Sequence, residues 1–225
     1  MQLINTTAIV TGGASGLGAA TAVALVKAGA TVFALDLAQA INKAPGIKGV
    51  KYLPTDVTSG DQVRQAVQTA TSSDAPLRTV VNCAGIGPSA RILGRSGTHD
   101  LELFARIVQI NLCGTFNVLA VAAEAIAQTD DDKNGQRGVI INTASVAAFD
   151  GQVGQAAYSS SKGGIAALPS PQPETSHNTE SASAPSPPES STPPCWPPSA
   201  KSSVPTSPQA SPSRNGLAAL TNTPN

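Results

Sequence analysis

Thr11-Gly12-Gly13-Ala14-Ser15-Gly16-Leu17-Gly18 follows the apolar run Ala8-Ile9-Val10 and opens the alanine-rich segment Ala19 to Ala28. A strand, a tight glycine turn and a helix N-terminus in that order gather backbone N–H groups and the positive end of a helix dipole at one point. That arrangement suits a pyrophosphate. Gly12 permits the turn, Gly16 a close backbone approach, and Gly18 the packing of helix on strand. No Lys-Ser or Lys-Thr follows the glycines, which excludes a nucleotide-triphosphate P-loop.

The second apolar run, Thr31 to Leu35, ends at Asp36, about twenty residues past the glycine turn. A dinucleotide fold places there the acid that binds the adenosine ribose, and an acid favours NAD over NADP.

Outward from these two points, β-rich runs alternate with helical segments over the first 145 residues. The pattern predicts an α/β, Rossmann-type doubly wound parallel sheet. Strands are expected at Thr6–Val10, Thr31–Leu35, Val50–Leu53, Arg78–Asn82 and Val139–Thr143, in the order 3-2-1-4-5. Helices are expected at Leu17–Ala28, Asp61–Ser72, one long stretch from Asp100 to Ala127, and one opening near Gln155. Thr58-Ser59-Gly60-Asp61 supplies cap chemistry for the second.

Of the 18 prolines, 14 lie after Leu168, amid dense Ser and Thr. The chain therefore divides into a protein-like part, 1–168, and a low-complexity tail, 169–225, too poor in apolar residues to offset its ordering entropy. A formal net charge of zero and 12% charged residues recommend neither nucleic acid nor an acidic membrane surface as partner. Cys83, Cys113 and Cys195 form no CxxC pair and imply reduced thiols. A first strand beginning near Thr6 leaves no room for a signal peptide, and no apolar run is expected to reach membrane-spanning length, so the expected location is cytoplasmic. Asp130, Asp132, Asn134 and Gly135 imitate half a calcium loop, but its twelfth position is Ile141 where a bidentate Glu is needed. His99 and His177 have no metal-ligand spacing, and no metal is expected.

Tyr158 and Lys162, four apart, project from one helix face. Interconverting an alcohol and a ketone requires a group that carries the hydroxyl proton while hydride moves. A tyrosine does so when a nearby ammonium favours its phenolate.

The spacing TGxxxGxG departs from GxGxxG and resembles the fingerprint of the short-chain dehydrogenase/reductase family. Asp36, Asp56-Val57, Asn82-Cys83-Ala84-Gly85 (the family's NxAG segment), Asn111, Ser145 and Tyr158-xxx-Lys162 follow in the family order across residues 1 to 168. The resemblance implies an NAD-dependent oxidoreductase contacting cofactor through Ser15, Leu17, Asp36, Asp56, Val57 and Cys83. Asp56-Val57 would meet the adenine, Asn82 to Gly85 would bring backbone groups to the cofactor, and Lys162 would bind the nicotinamide ribose. Ser145 would hold the substrate oxygen, and Asn111 would anchor a water leading protons from Lys162. Among subfamilies, the stretch from Gly138 to Ile165 looks most like the type II 3-hydroxyacyl-CoA dehydrogenases, whose relatives also oxidise hydroxysteroids. The implied substrate is thus an acyl-CoA or a hydroxysteroid, and the implied assembly a homotetramer.

The resemblance stops after Lys162-Gly163-Gly164-Ile165. Pro169, Pro171 and Pro173 are expected to end the catalytic helix, so the family's later strands are missing. Re-reading codons from Glu180 one base earlier can encode a strand and a Pro-Gly turn like the family's sixth, which points to a frame slip near Leu168. The alternative is a genuine Ser/Pro-rich interaction tail with polyproline-like Pro193-Pro194 and Pro197-Pro198.

Overall fold

The computed structural model describes residues 2–95 and 97–169. The expected tail, and with it both readings of residues 170–225, lies outside the described residues.

The main sheet contains β1 (Thr7–Thr11), β2 (Thr31–Asp36), β3 (Val50–Pro54), β4 (Leu77–Asn82) and β7 (Val139–Asn142). Their order is β3-β2-β1-β4-β7, with every pairing parallel. This is the order expected from the sequence. Every residue of β1 and β4 is buried, as central strands covered on both faces require. The alternation of side chains sorts β1 into two cores. Ile9 joins Leu35, Val67, Val80 and Val118 on one face, while Ala8 and Val10 join Ala22, Leu25 and Val32 on the other.

Helix α1 (Gly16–Lys27) covers the second face, and α3 (Gly60–Thr71) and α5 (Gly114–Ala127) cover the first. In α3 the buried residues Val63, Ala66, Val67 and Ala70 follow helical spacing. Ser59 caps it by accepting a hydrogen bond from the Gln62 N–H. A short α2 (Ala38–Ile41) and a two-residue antiparallel pairing of Leu93–Gly94 (β5) with Gly97–Thr98 (β6) carry no clear sequence signal. They are too short to show a period.

The long helix expected from Asp100 to Ala127 is interrupted. It runs as α4 (Leu101–Val108), a π-helical turn (Gln109–Cys113) and then α5. Asp100 caps it through N–H groups of Glu102 and Leu103. With 27 residues it is long and apolar enough to cross a membrane, contrary to the expectation that no such run exists. Its residues Val118, Leu119, Ala122 and Ile126 are instead buried, three of them in the first core, which is the use a core helix makes of such a sequence.

A 3₁₀ turn (Val146–Ala148) leads to α6 (Ala156–Ala167). That helix stops where foreseen: Leu168 turns to extended backbone, ψ 130°, immediately before Pro169.

Candidate active site

From β1 the chain passes outward to β2 and β3, then crosses back to β4. The carboxyl ends of β1 and β4 therefore flank a crevice, the switch point at which such sheets bind ligands. Thr11, at the end of β1, fastens the two sides. Its hydroxyl accepts the N–H groups of Cys83 and Ala84, each at 3.1 Å. A Cβ on Gly12 (φ +64°) would stand 2.9 Å from the Ala84 nitrogen, so glycine is what lets the turn pass the end of β4.

The glycine turn has one closed side and one open side. A Cβ on Gly18 would lie 2.2 Å from the Gly12 carbonyl oxygen, whereas one on Gly16 (φ +52°) would meet nothing within 4 Å. Gly16 faces a cleft of about 590 Å³ that is also lined by Gly12, Ser15, Leu17, Gly18, Asp36, Asp56, Val57, Cys83, Ala84 and Gly85. Most of the expected cofactor-binding residues are thus gathered in one place; Tyr158 and Lys162 line an adjoining cavity, and Asn82 lines neither. Asn82 is buried inside the sheet, where its Nδ2 donates to Asn142 Oδ1 at 2.9 Å.

The two acids of the cleft are held by backbone. Asp36 accepts the Ala14 N–H on Oδ2 at 3.0 Å and the Leu37 N–H on Oδ1 at 2.8 Å, tying the end of β2 to the glycine turn. Asp56 Oδ1 accepts the N–H and the hydroxyl of Thr58. Val57 packs against Gly114, and its carbonyl accepts the Asn117 amide at 2.9 Å. The cradle fits a dinucleotide: an open glycine turn at the start of a helix for the pyrophosphate, and an acid at the end of β2 for a ribose.

A second cavity of about 520 Å³ adjoins the first and shares Leu17, Cys83, Gly85 and Ile86 with it. It is lined by Ser145, Tyr158 and Lys162, together with Thr143 and Gln155. The structure therefore places Ser145, Tyr158 and Lys162 around one space. Ser145 ends the turn after β7, with its Oγ accepting the Ala147 N–H at 3.2 Å. The Lys162 ammonium is 5.8 Å from the centre of the Tyr158 ring and donates to the Thr143 carbonyl at 2.6 Å. Lys162 is only 7% exposed, and burial pushes its pKa below the ordinary 10.5. Burial likewise raises the Cys83 thiol above 9.0, opposed by hydrogen bonds from Thr143 and Thr21 and by the Lys162 charge.

Asn111 is fully buried and sits in the π-helical turn, a distortion that recurs at functional sites. Its side chain accepts the Ile86 N–H at 2.8 Å and donates to the Ile86 carbonyl at 2.9 Å and to Ser161 Oγ at 3.0 Å. The side chain thus ties the wall after β4 to helix α6 and makes no hydrogen bond to Lys162. These bonds give the Asn111 side chain a positioning role between the two elements.

Ile86, Arg106, Gln109 and Ile110 also line the first cleft without having been foreseen. The i, i+4 spacing of Arg106 and Ile110 was available in the sequence, but the face of the helix turned to the ligand was not. Among the described residues no group of three or more His, Cys, Asp or Glu is placed to hold a metal ion. In the acidic loop, Asp132 accepts the N–H groups of Asn134 and Gln136.

A parallel sheet with this strand order, a glycine turn at its switch point and a Tyr-Lys pair beside it define a dehydrogenase-type dinucleotide fold. The family model described as short chain dehydrogenase matches residues 6–171, and the chain belongs to that family.

Two relatives share about half of its matched residues. The 3-hydroxyacyl-CoA dehydrogenase type-2 of Bos taurus is 49% identical over 169 residues, and that of Homo sapiens 48%. Each alignment covers 73% of this chain and 65% of the relative, so the chain spans just under two thirds of those proteins. The crystal structure of 3-hydroxyacyl-CoA dehydrogenase type-2 from Mycobacterium avium matches with a TM-score of 0.65 at 35% identity, covering 73% of this chain and 67% of that one.

Proposed function

We propose that residues 1–168 encode an NAD-dependent oxidoreductase that interconverts a secondary alcohol and a ketone, with a 3-hydroxyacyl-CoA as the substrate. The carrying observation is the junction of the two cavities. A cleft shaped for a dinucleotide opens, along Cys83, Gly85 and Ile86, onto the space that holds Ser145, Tyr158 and Lys162. The substrate class rests on the relatives' names.

The glycine turn from Gly12 to Gly18 and Asp36 would hold NAD, which supplies the hydride acceptor. Tyr158 takes the hydroxyl proton of the substrate, and Lys162 beside it favours the phenolate. The bond from Lys162 to the Thr143 carbonyl holds the ammonium at the end of β7. Ser145 orients the substrate oxygen. Asn111 keeps α6 and the Ile86 wall in register, which matters because a misplacement of about 1 Å can cost roughly 10²-fold.

The family match ends at residue 171, so the 225-residue chain is expected to turn over little, while a chain continued in the shifted frame is expected to be active. Sequencing the gene across codons 160 to 225 and assaying NADH formation from 3-hydroxyacyl-CoA in both forms tests this. Absence of turnover in both would refute the reaction, and equal specific activity would show that the tail as written completes the site.

A further inference from the structure

We propose that Arg106 closes over the adenine end of the nucleotide cleft and lays its guanidinium plane against the base. The proposal rests on the reading that the cleft holds NAD. Among the described residues lining that cleft, Arg106 is the sole cation.

Its orientation is informative. Glu102 stands four residues earlier on α4, the order and spacing at which a helix most readily forms a Glu–Arg pair. That pair is not made. The ion pairs among the described residues are Arg64–Asp61 and Arg137–Asp131, and the Arg106 side chain lines the cleft instead. The acids of the cleft are occupied as well, Asp36 by the N–H groups of Ala14 and Leu37, and Asp56 by Thr58.

Position along the helix selects the part of the ligand. Arg106 and Ile110 line the cleft together with Val57, and Gly114 and Asn117 follow them along the same stretch. Gly114 packs on Val57 and Asn117 donates to its carbonyl, so this stretch runs along the Val57 wall. The pyrophosphate has its own donors at the glycine turn and the start of α1. The Val57–Ile110 wall offers apolar surface to a flat base, and a guanidinium, planar and weakly hydrated, is the cation best suited to stack on one. Such a contact at a partly exposed site is worth about three- to tenfold in affinity.

Calorimetric titration of the 225-residue chain and of its Arg106→Ala and Arg106→Lys forms with NAD, AMP and nicotinamide mononucleotide tests the proposal. Arg106→Ala is expected to weaken NAD and AMP about three- to tenfold and to leave nicotinamide mononucleotide unchanged. Arg106→Lys, which keeps the charge but not the plane, is expected to remain weakened for AMP. Unchanged binding in Arg106→Ala, an equal loss for both mononucleotides, which would mean a phosphate contact, or full recovery in Arg106→Lys would overturn the proposal. Failure of the unaltered chain to bind any of the three would overturn the reading of the cleft itself, and the proposal with it.

Discussion

Lys162 donates a 2.6 Å hydrogen bond to the carbonyl oxygen of Thr143, the residue that follows β7. The ammonium is thereby fixed at the end of the strand and beside the Tyr158 ring, inside the protein. Burial lowers its pKa from 10.5, so between the lowered value and 10.5 the unfolded state binds more protons than the folded one. In that window the stability contributed at this position rises with pH. The expected outcome is that unaltered chain gains stability relative to Lys162→Met as pH climbs from 7 toward 10, read from urea midpoints. A difference that stays flat or falls across that range would contradict the buried position of the ammonium.

Two glycines of one turn are expected to fail in different ways. Gly18→Ala would drive a Cβ to 2.2 Å from the Gly12 carbonyl, an overpacking that costs about 1–3 kcal/mol or more. Gly16→Ala meets open space and carries only the strain of φ +52°, roughly 1–2 kcal/mol, while obstructing the ligand side. Both variants are expected to lose NAD affinity, with the lower urea midpoint in Gly18→Ala. The reverse order of stability would contradict the geometry of the turn.

Asn111→Ala leaves the Ile86 N–H and carbonyl without their side-chain partners and removes the link to Ser161. Buried unsatisfied groups cost about 1–3 kcal/mol each, so a loss of at least roughly 2 kcal/mol is expected. The local signature is loss of hydrogen-exchange protection at the Ile86 amide. Protection equal to that of the unaltered chain would show that the clamp is not formed.

How much of this was legible in the sequence depended on whether the signal was local. The five strands, their order, the glycine turn and the acid at Asp36 could be read because apolar runs, glycines and a fixed separation sit within about 30 residues, the span of a strand-helix-strand unit. The meeting of Ser145 with Tyr158 and Lys162 was legible through the family order of motifs. The π-helical turn around Asn111 was not, because Gln109 to Cys113 has the composition of ordinary helix and the distortion answers to a tertiary partner, the Ile86 backbone. The pairing of the Asn82 side chain with Asn142 across β4 and β7 was not legible either, because it joins residues 60 apart in the chain.

Asp36 accepts the Ala14 N–H and lines the cleft, and the proposed function gives its carboxylate the ribose. The unaltered chain is expected to bind NAD more tightly than NADP. In Asp36→Ser that preference should narrow, and stability should fall by about 1 kcal/mol as the turn loses its charged acceptor. Equal affinities for the two cofactors in the unaltered chain, measured by titration, would remove the selective role.

In the proposed function Tyr158 carries the substrate proton at the junction of the two cavities. The direct measurement is the rate of NADH formation from a 3-hydroxyacyl-CoA by the chain continued in the shifted frame, with and without Tyr158→Phe, alongside NAD titration of both. Turnover is expected to fall by about 10²–10⁴ in the variant, with NAD affinity retained. Near-normal turnover in Tyr158→Phe would contradict that role.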